Sequence, residues 1–167
     1  MKHNKIFILG TSGSGKTTLA SQISKKTNIP CYNLDDIYWY KKFSKKRNPE
    51  KVDLKMKGLL KEKKWVVEGV YGWWTRDFAE KSDLIIFLDM PFRKLLWRNI
   101  KRYLFENEKR PNEDLRNLLR IIRYVRKYKK GFHEGSYESH KNIIDDYKEK
   151  LVIIKNGSEL EDLLRDF

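Results

Sequence analysis

One stretch near the start of the chain limits its possible folds more than any other feature. Gly10-Thr11-Ser12-Gly13-Ser14-Gly15-Lys16-Thr17 satisfies the pattern G-x-x-x-x-G-K-[ST] in full. It follows the apolar run Ile6 to Leu9 and precedes a helical pattern that starts at Lys16. A strand, a glycine-rich turn and a helix in this order are typical of a backbone that wraps its N–H groups around phosphate oxygens. The motif therefore predicts a phosphate site at the end of the first strand.

The residues of this loop have separate expected roles. The glycines let the backbone turn inward, and the helix that follows adds the positive end of its dipole. Lys16 is expected to bridge the β- and γ-phosphates of ATP, and the Thr17 hydroxyl to hold Mg²⁺. The residues predicted to bind ATP are Gly10, Ser12, Gly13, Ser14, Gly15, Lys16, Thr17 and Thr18.

Length and composition indicate one globular domain spanning residues 1–167. The chain has 40% hydrophobic and 36% charged residues, which predicts an ample core with a heavily charged surface. No apolar run approaches the ~20 residues that cross a bilayer, and the start reads directly into a strand, so we expect neither membrane association nor a signal peptide. Cys31 is the single cysteine, which favours a reducing cytoplasm, and we expect its side chain to be buried.

The formal net charge of +14 has two interpretations. The surface could attract polyanions such as nucleic acid, or the excess could combine arginines around a polyphosphate with a lysine-rich solvated exterior. Short mixed runs such as Lys61-Glu62-Lys63-Lys64 favour the second interpretation. Nucleic acid therefore remains a partner that we consider but do not favour, and oligomeric state is left open.

Strand and helix patterns alternate along the chain. Near-continuous apolar runs predict five strands, at Lys5 to Leu9, Cys31 to Leu34, Trp65 to Glu68, Leu84 to Asp89 and Leu151 to Lys155. Helical patterns cover Lys16 to Asn28, Pro49 to Lys63, a long stretch from Pro91 to about Lys130, and a closing helix capped by Ser158. Strands alternating with helices predict a doubly wound, three-layer α/β/α sandwich.

Two segments of the chain are strongly basic. Lys41 to Pro49 reads as a mobile basic loop. Farther on, helical spacing puts Arg116, Arg120, Arg123 and Lys127 on one stripe, while Leu115, Leu118, Leu119, Ile122 and Val125 cover the neighbouring face. This element is either a solvated surface helix or a lid that folds over phosphates.

Acidic side chains follow three predicted strands, at the edge where a parallel sheet binds ligands. We expect Asp35 to orient or deprotonate the accepting hydroxyl and Glu68 to support the Mg²⁺ shell. Gly69 would let the substrate approach the backbone. Asp36 has a functional interpretation and an equally good one as a helix cap, whereas for Asp89 the position before Met90-Pro91 favours a role in ending the strand and capping the next helix.

Aromatic residues are concentrated near the same strand ends. They could form core or interface, or the flat walls of a substrate pocket. Arg76 follows them and could clamp an anionic acceptor through its guanidinium group. The aromatic residues are Tyr38, Trp39, Tyr40, Tyr71, Trp73 and Trp74, of which Trp39 and Tyr71 are the predicted substrate contacts.

Several of these segments together resemble a known family. Gly10 to Thr18, Leu34 to Trp39, Trp65 to Tyr71 and Leu88 to Pro91, with the arginine-rich helix that follows, resemble the adenylate-kinase-like P-loop proteins of the DNA topology modulation, or FlaR-related, family. The resemblance implies the nucleoside-monophosphate-kinase fold, with a five-stranded parallel sheet in order 2-3-1-4-5 and a helical lid at about residues 92–135. It also implies that Arg98 and Arg102 are paired lid arginines that grip the ATP phosphates.

Two departures from the family pattern affect the expected chemistry. The first is that Glu68-Gly69 stands where Asp-Gly is usual. The second is that the full set of residues with which adenylate kinases bind a nucleoside monophosphate is not recognisable, so adenylate kinase activity does not follow. The sequence favours a kinase that transfers the ATP γ-phosphoryl group to a small-molecule or nucleotide acceptor, with Lys16, Asp35, Arg98 and Arg102 as catalytic residues. The alternative is a nucleic-acid-binding P-loop NTPase or regulatory factor.

Overall fold

The computed structural model describes residues 3–41, 45–72, 75–105, 115–131 and 135–167. Its strands are β1 (Lys5–Gly10), β2 (Cys31–Asn33), β3 (Trp39–Lys41), β4 (Lys45–Lys46), β5 (Trp65–Gly69), β6 (Leu84–Leu88) and β7 (Leu151–Ile154). Its α-helices are α1 (Lys16–Thr27), α2 (Leu34–Tyr38), α3 (Pro49–Lys61), α4 (Arg76–Lys81), α5 (Phe92–Phe105), α6 (Leu115–Tyr128), α7 (Tyr137–Asp146) and α8 (Gly157–Arg165). A 3₁₀ turn, Lys148–Lys150, precedes β7.

Five parallel strands form the central sheet, in the order β2-β5-β1-β6-β7. β3 and β4 pair separately as an antiparallel hairpin. When only the five strands of the central sheet are numbered along the chain, their order is 2-3-1-4-5, as predicted. The predicted fold class is confirmed. Phe7 in the central strand lies between Val67 and Ile85 of its neighbours. Because β2, β5 and β1 are parallel neighbours, their carboxyl ends lie side by side at one end of the sheet. The candidate site lies at this end.

The core divides into two layers because alternate residues of a strand point to opposite faces of the sheet. Phe7 and Leu9 of β1 pack against helices α3, α4 and α7, while Ile6 and Ile8 pack against α1, α5, α6 and α8. All four side chains are fully buried. This double burial explains why the strands read as continuous apolar runs.

Several local expectations are wrong. β2 ends at Asn33, because the Asn33 side chain caps α2 by accepting from the Asp35 N–H at 2.7 Å. Asn156, and not Ser158, caps α8, with its Oδ1 accepting from the Glu159 N–H at 3.0 Å. Cys31 is exposed, because β2 is the edge strand of the sheet.

The region expected to form one long helical stretch contains two helices, α5 and α6, and residues 106–114 between them lie outside the described part of the chain. Residues 132–134 of the predicted lid also lie outside it. The buried face of α6 carries Ile121, Val125 and Tyr128, whereas Leu115 and Leu119 are exposed. The buried face of α6 is therefore rotated about the helix axis relative to the predicted apolar face. The segment expected to be a loop after Lys41 contains β4.

Among the described residues, no helix combines the length and apolar character that crossing a membrane requires.

Candidate active site

The glycine-rich loop lies between β1 and α1 and depends on backbone angles that favour glycine. Gly13 and Gly15 have φ angles of 79° and 102°. A Cβ at Gly13 would also overlap the Asn99 side-chain nitrogen. Substitution there would add backbone strain to a steric clash. The loop therefore needs glycine at this position for its own shape and for close packing against α5.

Two side chains at the start of α1 are held in defined positions. The Lys16 ammonium group donates to the Thr11 carbonyl oxygen at 2.9 Å, and the residue is only 7% exposed. The Thr17 hydroxyl donates to Glu68 Oε1 at 2.7 Å. β5 lies beside β1 with Glu68 opposite Ile8, so the sheet register brings this carboxylate to the loop.

The Thr17–Glu68 pair has the chemistry of a magnesium site. Both groups offer oxygen atoms, which Mg²⁺ prefers, and Mg²⁺ commonly binds one or two protein oxygens together with substrate phosphates and water. Within the part of the chain that the structure describes, no group of three or more His, Cys, Asp or Glu side chains could hold a metal. A cation here would therefore depend on the nucleotide for further ligands.

Helix α5 is fastened to the loop by two neighbouring side chains. Arg98 Nη1 donates to the carbonyl oxygens of Ser14 and Gly13, at 2.7 and 3.4 Å. Asn99 Nδ2 donates to the Ser12 carbonyl oxygen at 3.3 Å, and the Ser12 hydroxyl donates back to Asn99 Oδ1 at 3.2 Å. Sequence reasoning missed Asn99. Its position four residues after the buried Leu95, on the same face of α5, was the available signal.

Asp35 lies at the end of a chain of side-chain hydrogen bonds. The Tyr71 hydroxyl donates to Asp35 Oδ1 at 2.8 Å, and Trp39 Nε1 donates to the same hydroxyl oxygen at 3.0 Å. Burial, reinforced by the negative charge of Asp35, raises the pKa of Tyr71 above its ordinary value. Tyr71 therefore stays neutral and keeps its hydroxyl proton for Asp35. The Tyr38 ring packs 5.1 Å from that of Tyr71.

One cavity of about 760 Å³ joins the loop to these aromatic residues. It brings together most of the predicted site residues. Those lining it are Ser12, Gly13, Gly15, Lys16, Thr17, Thr18, Asp35, Trp39, Glu68, Gly69, Tyr71, Arg98 and Arg102. Gly10 and Ser14 are buried within the loop and are not among the lining residues.

Two of the predicted substrate residues have other partners in the structure. Arg76 does not line the cavity, because its guanidinium group pairs with Asp146 at 2.5 Å and lies over the Tyr147 ring. Gly69 does line the cavity, but the space beside its Cα is filled by the Leu34 side chain, 2.8 Å from where a Cβ would lie. Its small size therefore accommodates Leu34.

The remaining candidates fall in several places. Asp89 faces Lys129 at 3.4 Å, and Asp36 is exposed on α2. Trp73 and Trp74 lie outside the described residues. From the predicted basic stripe, Arg120 lines the cavity while Arg116, Arg123 and Lys127 are exposed without lining it. Sequence reasoning also missed several lining residues on surrounding elements. The polar ones are Asn33, Lys46, Lys101 and Tyr124.

A buried histidine in α7 connects α6 to the segment that follows β5. His140 is fully buried, with its Nε2 2.8 Å from the Val70 carbonyl oxygen and its Nδ1 2.8 Å from the Tyr128 hydroxyl. Because a carbonyl only accepts, Nε2 carries the proton and Nδ1 accepts from Tyr128. Burial, with a smaller effect of the Lys16 charge, lowers the pKa of His140 to about 4. The imidazole is therefore neutral at physiological pH.

Solved structures share this architecture at low sequence identity. The chain is similar to a shikimate kinase from Bacteroides thetaiotaomicron, with a TM-score of 0.57, 17% identity, and coverage of 99% of this chain and 96% of that one. It is also similar to a shikimate kinase from Acinetobacter baumannii in complex with shikimate, with a TM-score of 0.55, 17% identity and coverage of 98% and 89%. At this identity the likeness establishes the fold.

Sequence comparison gives a closer relationship. Over 108 residues the chain is 37% identical to the uncharacterized protein YqaC of Bacillus subtilis (strain 168), covering 62% of this chain and 60% of that protein. The chain thus spans about 60% of the length of this relative. Residues 6–118, from β1 to the start of α6, match a family model described as AAA domain. Since this match includes the phosphate loop, the Glu68 strand and α5, the chain belongs to the AAA domain family of P-loop proteins.

Proposed function

We propose that this protein transfers the γ-phosphoryl group of ATP to a hydroxyl group of a small-molecule or nucleotide acceptor, with Mg²⁺ as the metal. The observation that carries the proposal is the continuous cavity that runs from the phosphate loop to Asp35. A protein that only bound a nucleotide would need the first part of this cavity alone. An acidic side chain at the far end supplies what an accepting hydroxyl requires.

The donor side has the groups that phosphoryl transfer uses. The loop N–H groups and Lys16 would hold the phosphates, while Arg98 and Arg102 would neutralise the charge that develops during transfer. Thr17 and Glu68 would hold Mg²⁺, which supplies charge neutralisation across the phosphates when bound. Lys16 and Arg98 now donate to loop carbonyl oxygens, so bound phosphates would compete for the same donors.

The acceptor side would orient the hydroxyl. The accepting oxygen forms the new P–O bond, the bond to the ADP oxygen breaks, and the hydroxyl proton passes to Asp35. Tyr71 holds Asp35 through Oδ1 and so fixes the orientation of a carboxylate that lines the cavity. The resemblance to shikimate kinases supports a small hydroxyl compound as one class of acceptor to test.

The test is ATP turnover with a panel of acceptors, measured as ADP release and as transfer of label from γ-labelled ATP. The panel holds shikimate, nucleosides, nucleoside monophosphates and short oligonucleotides. We expect one class to stimulate ADP release and become labelled. Lys16→Ala and Asp35→Asn should each reduce transfer by about a hundredfold or more. Lys57→Ala, on the exposed face of α3, is the matched control.

Two results would overturn the proposal. One is full transfer activity in Lys16→Ala. The other is ATP turnover that every acceptor leaves unchanged, which would instead support an NTPase that uses ATP as a switch.

A further inference from the structure

The β3–β4 hairpin carries a pattern that phosphoryl transfer to a small acceptor does not require. Three consecutive aromatic residues, Tyr38 to Tyr40, lie alongside three consecutive basic residues, Lys45 to Arg47. Trp39 pairs with Lys46, and the Arg47 N–H donates to the Tyr38 carbonyl oxygen at 2.9 Å. We call residues 38–40 and 45–47 the aromatic–basic hairpin.

This hairpin extends from the cavity to open solvent. Tyr38, Trp39 and Lys46 line the cavity, and the Lys46 ammonium group lies 5.2 Å from the centre of the Tyr38 ring. Tyr40 lies beyond them and is 69% exposed. Its ring centre is 5.4 Å from Lys45 Nζ and 5.6 Å from Arg47 Cζ. A cation therefore accompanies an aromatic ring both inside the cavity mouth and outside it.

Such a succession has the chemistry of a single-strand nucleic-acid surface. Proteins hold single strands by stacking successive bases on aromatic side chains while cations follow the phosphates. Tyr40 offers a large exposed ring, and Lys45 and Arg47 hold positive charge beside it. The net charge of +14 adds a general attraction for a polyanion. A free small acceptor bound wholly inside the cavity would contact none of the outer residues.

We propose that the aromatic–basic hairpin binds single-stranded nucleic acid and that a terminal hydroxyl of the strand is the phosphoryl acceptor. This rests on the proposed function for the transfer step only. The terminal nucleotide enters the cavity beside Tyr38 and Trp39, and the next base stacks on Tyr40. The terminal oxygen forms a bond to the γ-phosphorus, ADP leaves with the electrons of the broken P–O bond, and Asp35 takes the hydroxyl proton.

Binding can be measured without ATP. Single-stranded DNA and RNA of about twelve nucleotides, with a free 5′-hydroxyl and a 3′-fluorescein, would be titrated and followed by anisotropy. We expect affinity to fall steeply between about 50 and 200 mM salt.

Tyr40→Ala should weaken binding about tenfold, and Tyr40→Phe should restore it, because stacking needs the ring and not the hydroxyl. Substituting Lys45 and Arg47 by Ala together should make the slope of log affinity against log salt shallower, by roughly 0.7 for each phosphate that is no longer neutralised.

The matched controls are Lys55→Ala and Lys57→Ala, which remove exposed charge from α3 without touching the hairpin. Wild-type affinity in Tyr40→Ala, or an equal loss in the α3 controls, would overturn the proposal, because either result would mean that binding does not depend on the hairpin. Thermal unfolding of each variant separates weaker binding by a folded protein from unfolding of the protein itself.

Transfer is then measured with γ-labelled ATP and unlabelled strands. Label on the 5′-hydroxyl strand, and none on the same strand with a 5′-phosphate and a blocked 3′ end, supports the proposal. Label on mononucleosides but not on any strand overturns its acceptor part while leaving the kinase function intact. Hairpin-dependent binding with no transfer to any acceptor contradicts the kinase function and leaves the binding surface standing.

Discussion

The two ends of the cavity are built in different ways. At the donor end, α5 holds the phosphate loop through backbone carbonyl groups, as in the 2.7 Å hydrogen bond from Arg98 to Ser14. At the acceptor end, side chains hold one another, and Asp35 and Tyr71 lie 36 positions apart in the chain. Loop N–H groups and the Lys16 cation bind phosphate groups, which every nucleoside triphosphate carries. A side-chain site can change its ligand through a few substitutions, so specificity should reside at the acceptor end.

The largest effect should follow from Lys16→Ala, which breaks the donor end alone. Loss of this cation should lower transfer by about 10²–10³-fold and abolish the rise in Tm that ATP produces. Asp35→Asn should keep that rise in Tm while losing transfer, because it alters the acceptor end alone. Differential scanning fluorimetry with ATP and Mg²⁺ measures both variants. If Lys16→Ala and Asp35→Asn lost the ATP-induced rise in Tm equally, the two ends of the cavity would not act independently.

The next effect concerns His140, which supports the acceptor end through Val70. Its pKa is about 4 in the folded protein against an ordinary value of 6.5, so the unfolded chain takes up the proton first as pH falls. The contribution of neutral His140 to folding stability is therefore complete above pH 6.5, and it is lost as the pH falls toward 4. We expect the free energy of unfolding to fall by roughly 2 kcal/mol between about pH 7.5 and pH 5.

Urea unfolding at the two pH values tests this expectation. His140→Gln should be less stable at the higher pH, with a smaller decrease on acidification, because it has no imidazole to protonate. An unchanged pH dependence in this variant would assign the decrease to other groups.

A smaller effect is expected from Tyr71→Phe. The ring keeps its packing against Tyr38, but Asp35 and Trp39 each lose a hydrogen bond to the Tyr71 hydroxyl. Without this hydroxyl, Asp35 should orient the acceptor less well, and kcat should fall about tenfold with the KM for ATP unchanged. A rise in the KM for ATP instead would show that the acceptor side chains also shape the donor end.

The smallest effect is expected from Arg76→Ala. The ion pair with Asp146 lies on the surface and away from the cavity, where solvent screens it, so its loss should leave the thermal stability almost unchanged. Steady-state kinetics should give unchanged KM values for ATP and acceptor. Weaker binding of an anionic acceptor would restore the role that the sequence pattern had indicated for Arg76.

The contrast between the two ends also explains what could be predicted. The loop motif occupies consecutive residues, so its shape is encoded locally by glycines and by the helix that begins at Lys16. The strand order followed from alternating apolar runs together with the family resemblance. Cys31 was misassigned because burial depends on whether a strand lies at the edge of the sheet, which the strand itself does not encode. Asn99 was missed for a similar reason: its partner Ser12 is 87 positions away in the chain and reaches it only when α5 packs on the loop.

The sequence by itself determined the phosphate loop, the parallel sheet and the acidic residues at its strand ends, because each depends on neighbouring residues or on a repeating apolar pattern. The tertiary structure alone decided which side chains share the cavity. It turned Arg76 toward Asp146, filled the space at Gly69 with Leu34, and joined Asp35, Trp39 and Tyr71 in one hydrogen-bonded chain. Contacts between residues far apart in the chain depend on how helices pack on the sheet, and that packing is a property of the whole fold.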